Sequence, residues 1–230
     1  GEDITKMSAA TRERIALLLE GHVQYAFMTI GQIERFYSQF YKKWNRAAYY
    51  ELMEKLKVTP DQKLSSMSCG QRSQVALGLI LAQNADLLVL DDFSLGLDPG
   101  YRRLFTDYLR EYAKAENKTV FMTSHIIQDM ERLVDDCIIL DYGRILVQKP
   151  VKELMDTFHR YAFTAADCSA LESDSRLYST SRIRENCETF SFETGEAVRK
   201  ILEEKAIEYK DLRQEKLSLE DIFIGLTGKY

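Results

Sequence analysis

The chain has 230 residues, 45% of them hydrophobic and 29% charged, with a net charge of −5, which leaves room for one domain with an appendage or for two small ones. The acidic balance argues against a broad nucleic-acid footprint, which needs a basic face. No apolar run is long enough to span a bilayer, and there is no basic-then-apolar signal segment. The four cysteines, Cys69, Cys137, Cys168 and Cys187, are far apart and lack C-x-x-C spacing, so they read as reduced thiols rather than a disulfide framework or zinc site.

Arg14 to Leu19 is a short apolar run suited to a strand buried on both faces; Glu20, Gly21 and His22 close it. From Thr29 to about Val58 the pattern is helical. Ile33, Phe36, Tyr37, Phe40 and Trp44 recur at spacings of three and four, one face of a helix, and Ala47 to Leu56 continues as a second helix that stops before Thr59-Pro60. Core packing is the first reading of those rings, a groove for a partner helix the second. Lys63 to Gln71 is a loop, and its Ser68 is suited to cap the helix of Arg72 to Gln83. Leu87 to Leu90 is a second buried strand. Asp98-Pro99 opens another helix, because proline is favoured at the first helical position. Thr119 to Thr123 is a third strand, with Ser124 and His125 at its tip. The order strand–helix–strand–helix–strand predicts a parallel sheet with helices on its faces.

Ile126 to Val134 is a short helix. Cys137 to Leu140 and Arg144 to Val147 form strands around Asp141-Tyr142-Gly143, a hairpin signal. After Pro150 the texture changes. Lys152 to Tyr161 is helical, Ala162 to Asn186 is polar and weakly periodic, and Glu188 to Glu193 alternates as a strand. Glu196 to Lys205 is a helix, Tyr209 to Arg213 a short strand, and Ser218 with Asp221 forms a capping box at the start of a last helix. The expected division is residues 1–155, with a helical part at about 29–85, and a small α+β domain at 156–230.

In a phosphate-handling α/β sheet, reactive groups gather beyond the carboxyl ends of the parallel strands. Glu20, Asp91 with Asp92, and His125 occupy three such ends. Asp91 can hold Mg²⁺ through water, or simply cap the strand. Ser68, Gly70 and Gln71 stand ahead of a helix, where backbone N–H groups and a hydroxyl make an anion site; a plain N-cap is the alternative. His125 carries a ring whose charge is tunable near neutral pH, whereas His22 and His159 read as ordinary surface or satisfied residues.

The run from Leu64 to Pro99 resembles the second half of an ATP-binding cassette (ABC) nucleotide-binding domain. Met67-Ser68-Cys69-Gly70-Gln71 resembles the signature loop, Leu87 to Asp91 the Walker B strand, Gly96-Leu97-Asp98 the D-loop and His125 the switch histidine. The resemblance implies an α/β, P-loop NTPase-like (RecA-like) parallel sheet with a helical subdomain, incomplete at its N-terminus, and a small α+β C-terminal domain. It implies ATP and Mg²⁺ as cofactors, with Asp91 and Glu20 toward the metal. Asp92, His125 and Glu20 fall at catalytic positions, and Ser68, Gly70, Gln71 and Asp98 at nucleotide-binding ones. Asp92 stands where the family usually has Glu to polarise the attacking water. The shorter arm leaves two readings even: a poor base, or a second carboxylate near the metal.

No G-x-x-x-x-G-K-[ST] string occurs in the 230 residues. The family's phosphate loop is expected ahead of Gly1, and the strands at Thr119–Thr123 and Cys137–Leu140 are expected each to lack a neighbour. Tight ATP binding by these residues alone is not expected. The C-terminal stretch Leu217 to Phe223 resembles that of exporter ATPases. The implied partners are transmembrane permease subunits and a second cassette, as homodimer or heterodimer, with no nucleic acid. The implied location is cytoplasmic, peripheral on the inner face of the cell membrane. Two other readings stay open: a degenerate, non-hydrolysing cassette that completes a composite site with a partner, and a soluble ABC protein outside transport.

Overall fold

The computed structural model describes residues 2–19, 25–93 and 97–228. The chain divides into two compact units, 1–125 and 126–230. Residues 126–155, grouped with the first domain in the sequence reading, lie in the second unit.

The first unit contains α1 (Ala9–Arg12), β1 (Ile15–Leu18), α2 (Ile30–Ser38), α3 (Arg46–Lys55), α4 (Cys69–Ala82), β2 (Leu87–Asp91), α5 (Pro99–Ala115) and β3 (Thr119–Thr123). The three strands form a parallel sheet in the order β1-β2-β3, with Leu17 beside Val89 and Val89 beside Phe121. Alternation sorts their side chains. Ala16, Leu18, Leu88 and Leu90 are buried, and α4, whose Val75, Leu77, Leu79 and Leu81 are buried too, contacts β1. The expectation of strands buried on both faces is corrected on the other side. There Leu17 is 53% and Phe121 55% exposed, because no described element lies over them. Among the described residues β3 pairs with β2 alone and β4 with β5 alone.

The helical stripe is shorter than its spacing suggests. α2 ends at Ser38, where the Ser38 hydroxyl and the Gln39 amide both donate to the Arg35 carbonyl and compete with the helix ladder. Asn45 then caps α3 through Ala48 N–H. Ile33 is fully buried and Phe40 is left 61% exposed. Two caps match their sequence signals. Ser68 and Gln71 form a reciprocal capping box on α4, and Asp98 caps α5 with Pro99 at its first position.

The second unit holds α6 (Ile127–Leu133), the antiparallel hairpin β4 (Asp136–Asp141) and β5 (Arg144–Pro150), and α7 (Val151–Thr157). A four-stranded antiparallel sheet follows, in the order β7-β8-β6-β9, built from β6 (His159–Ala165), β7 (Tyr178–Ile183), β8 (Asn186–Ser191) and β9 (Tyr209–Glu215). Helix α8 (Gly195–Glu204) packs Val198, Ile201 and Leu202 against Tyr161, Phe163 and Cys187 of this sheet, and α9 (Leu219–Thr227) contacts β7 and β8. The helix expected from Lys152 to Tyr161 is corrected. It stops at Thr157, and His159 onward pairs antiparallel with β8 and β9, burying Tyr161, Phe163 and Ala165 at period two. Among the described residues, no helix is long and apolar enough to cross a membrane.

Candidate functional site at the carboxyl ends of β2 and β3

Parallel pairing places Asp91 directly beside Thr123. The Thr123 hydroxyl donates to Asp91 Oδ1 at 2.6 Å. Thr123 Oγ1 also accepts the Asp92 backbone N–H at 3.1 Å, and the Thr123 carbonyl accepts that N–H at 3.2 Å. This bifurcated anchor holds the chain as it leaves β2. Asp92 adopts φ +42°, the left-handed region that aspartate tolerates better than longer side chains. Its carboxylate reaches back to β3, with Oδ2 2.6 Å from His125 Nδ1. A carboxylate only accepts hydrogen bonds, so Nδ1 carries the hydrogen, and in the neutral form of the ring Nε2 is the acceptor. The Asp92 side chain is 18% and that of His125 58% exposed, so the pair has its acid end inside and its imidazole toward solvent.

Asp92 Oδ1 is buried without a hydrogen-bond partner. A buried anionic oxygen left without a donor is costly; a metal-bound water or a metal ion would satisfy it. Among the described residues, no three His, Cys, Asp or Glu side chains converge to cage an ion. Mg²⁺ takes one or two carboxylates, with waters and substrate phosphates completing its shell. Asp91 and Asp92 therefore fit the role of carboxylates beside a phosphate-bound Mg²⁺.

Ser68, Gly70 and Gln71 form a separate group at the start of α4. The Ser68 hydroxyl accepts Gln71 N–H at 3.2 Å, and Gln71 Oε1 accepts Ser68 N–H at 3.0 Å. Arg72 donates to the Met67 carbonyl at 2.7 Å and fixes the turn ahead of the cap. None of these bonds reaches Asp91, Asp92 or His125. Asp98 uses Oδ1 to accept Gly100 and Tyr101 N–H groups. Glu20 and Gly96 lie outside the described residues, as does His22. The structure thus joins Asp91, Asp92 and His125, holds Ser68–Gln71 and Asp98 as helix caps, and adds Thr123. Sequence reasoning treated Thr123 only as the end of a strand. The register opposite Asp91 was the signal available for it.

In the helical part of the first unit, Tyr25, Phe27, Phe36, Tyr37 and Phe40 meet edge to face at 5.2–6.0 Å. Tyr25, Phe27 and Phe40 are 43%, 70% and 61% exposed, a cluster too open to be core.

No protein-family model matches the chain. It is 25% identical over 233 residues to YhcH of Bacillus subtilis (strain 168), an uncharacterized ABC transporter ATP-binding protein, covering all of this chain and 76% of YhcH. It is 28% identical over 178 residues to the Nod factor export ATP-binding protein I of Rhizobium sp. (strain N33), covering 76% of this chain and 58% of that one. It is 35% identical over 92 residues to the thiamine import ATP-binding protein ThiQ of Jannaschia sp. (strain CCS1), spanning 40% of each. A solved ATP-binding subunit of an ABC transporter superposes with a TM-score of 0.55 at 22% identity, covering 63% of this chain and 62% of that one. This last likeness concerns the fold alone, an α/β arrangement with a parallel sheet. The chain is thus similar over its whole length to YhcH, and over part of it to other ATP-binding proteins of ABC transporters.

Proposed function

We propose that the protein is an ATP-binding subunit of an ABC transporter, contributing the Asp91–Asp92–His125 side of an ATPase site and coupling hydrolysis to a membrane permease. The observation that carries this is the hydrogen-bonded run Asp91–Thr123–Asp92–His125 at the tips of two parallel strands, where such sheets place their reactive groups.

Asp91, with one oxygen fixed by Thr123, is the residue that would hold Mg²⁺. When bound, Mg²⁺ neutralises charge developing on the transferred phosphoryl group. Asp92 holds the imidazole by Nδ1, which leaves Nε2 to accept a hydrogen bond from the attacking water or to meet the terminal phosphate. The first-turn N–H groups of α4, with the Ser68 hydroxyl, supply donors for the phosphate held by a second cassette. The exposed rings around Phe36 and Phe40 form the groove that receives a permease helix. Export is the direction the C-terminal stretch supports, and the protein works peripherally at the inner face of the membrane.

Affinity purification of the tagged protein from detergent-solubilised native membranes tests this. A multi-span membrane protein should come with it, and Mg²⁺-dependent phosphate release from ATP should be lost in Asp91→Asn. Recovery without a membrane partner, or release indifferent to Asp91→Asn, overturns the proposal. A second reading is favoured by one observation: Asp92 Oδ2 is turned to His125 rather than left open to water. In that reading the chain is a non-hydrolysing cassette completing a composite site, and the purified complex keeps its phosphate release when Asp92 is changed to Asn.

A further inference from the structure

At the amino ends of the same strands lies a cavity of about 210 Å³, lined among others by Glu13, Arg14, Lys42, Lys43, Gln83 and Asp86. Arg14, Asp86 and Lys118 immediately precede β1, β2 and β3. Strands of about five residues set this pole on the order of 16 Å from Asp91 and His125.

The basic groups here exceed what the fold uses. Arg14 gives Nε to Asp86 at 2.6 Å, and among the described residues its two terminal nitrogens have no hydrogen bond. Lys42 is 85% exposed and stands 3.8 Å from Glu13. Lys43 has no ion pair among the described residues. Asp86 shows that the cations act on one place. Its carboxyl lies below the usual range chiefly through the Arg14 hydrogen bond, with the charges of Arg14, Lys43 and Lys118 adding to it. The carbonyls at the end of α4 do not need these cations. The Leu81 carbonyl accepts Tyr112 Oη, Ala82 accepts Asn45 N–H, and Asn84 accepts Lys118 Nζ. Gln83 itself is 6% exposed and lines the cavity with no side-chain partner among the described residues. In a chain of net charge −5, such a grouping is local rather than a general basicity. Glu13 and Asp86 neutralise part of it and leave an excess of positive charge.

We propose that this cavity binds a small phosphate-type oxyanion, held by Arg14, Lys42 and Lys43 and by the side-chain amide of Gln83. Charge-assisted donors of both geometries are present, the planar guanidinium fork and the ammonium point charges. The volume suits phosphate or pyrophosphate. The site is independent of the ATPase reading, since it uses none of those residues.

Amide NMR of the full chain, titrated with inorganic phosphate, pyrophosphate and phosphatidic acid vesicles at constant ionic strength, tests it. Saturable shifts at Lys43, Gln83 and Asn84, with none at Asp91 or His125, are expected. Lys43→Ala, at an exposed position, should weaken binding about tenfold, and Gln83→Leu should also weaken it. Saturation by the soluble anions identifies a free ligand, and saturation by vesicles alone identifies a lipid headgroup. Non-saturating shifts matched by chloride, or an affinity unchanged in Lys43→Ala, overturn the proposal.

Discussion

Thr123 and Asp91 are joined across β2 and β3 by a 2.6 Å hydrogen bond, and the same threonine oxygen accepts the Asp92 amide. One hydroxyl therefore fixes an oxygen of the first carboxylate and the backbone of the second. Thr123→Val keeps the shape and the β-branching and removes only this oxygen. Residues that orient a metal ligand typically change affinity or activity about 10- to 100-fold when lost. Thr123→Val is expected to raise the Mg²⁺ concentration needed for half-maximal phosphate release by at least tenfold, and Thr123→Ser to restore it. A valine variant with wild-type Mg²⁺ dependence would show that the threonine only ends a strand.

Asp92→Glu tests whether reach limits the site. The longer side chain brings the carboxylate nearer the water, so phosphate release by the assembled transporter is expected to rise. Glutamate at φ +42° costs about 1–2 kcal/mol, so the melting temperature should fall at the same time. A lower melting temperature with an unchanged or lower rate counts against a reach-limited base and leaves the His125 contact as the working role of Asp92.

The parts of this fold that local chemistry determines were legible in the sequence. Ser68, Asp98 and Ser218 cap helices where their side chains meet the following N–H groups. The hydrophobic runs at Ile15, Leu87 and Thr119 became strands within a residue of expectation. What failed depends on partners distant in sequence. Leu154, Phe158 and Tyr161 recur at helical spacing, yet Tyr161 alternates with Phe163 in a strand because β8 and β9 flank it. β7 has almost no apolar alternation; it is held by pairing with β8 and by the Ser179 hydroxyl on the Gly225 carbonyl. At the site, both strand tips were visible, but the bond between Asp92 and His125, 33 residues apart, is a product of register.

The second unit offers a test of close packing. A Cβ at Gly225 on α9 would lie 2.6 Å from Phe190 Cδ1 and 3.1 Å from Phe158 Cε1. Those rings are near-parallel, 6.1 Å apart, and Phe190 is buried, so neither yields freely. Alanine gains about 1 kcal/mol of helix propensity over glycine, while overpacking costs about 1–3 kcal/mol. Gly225→Ala is therefore expected to lower the urea midpoint of the second unit. A raised midpoint would mean that α9 shifts off the sheet without penalty.

Glu34 is the most demanding buried group of the first unit. Its carboxylate has no exposed surface and accepts Arg46 Nε at 3.0 Å, Arg46 Nη2 at 2.8 Å and Trp44 Nε1 at 2.9 Å. Burial pushes its pKa up, but the hydrogen bonds from Arg46 and Trp44, with the charge of Arg46, more than reverse this and hold it below the ordinary value of 4.5. A lowered carboxyl pKa stabilises the folded state fully above the unfolded value, and that contribution is lost as pH falls through the folded one. Glu34→Gln removes the charge and one acceptor, and is expected to cost about 2–3 kcal/mol at neutral pH. The difference between wild type and variant should hold down to about pH 5 and then shrink as pH falls further. Urea unfolding followed through Trp44, the chain's single tryptophan, measures both. A difference that is small at pH 7, or that grows below pH 4, would show that the Arg46–Glu34–Trp44 contact does not stabilise the link between α2 and α3.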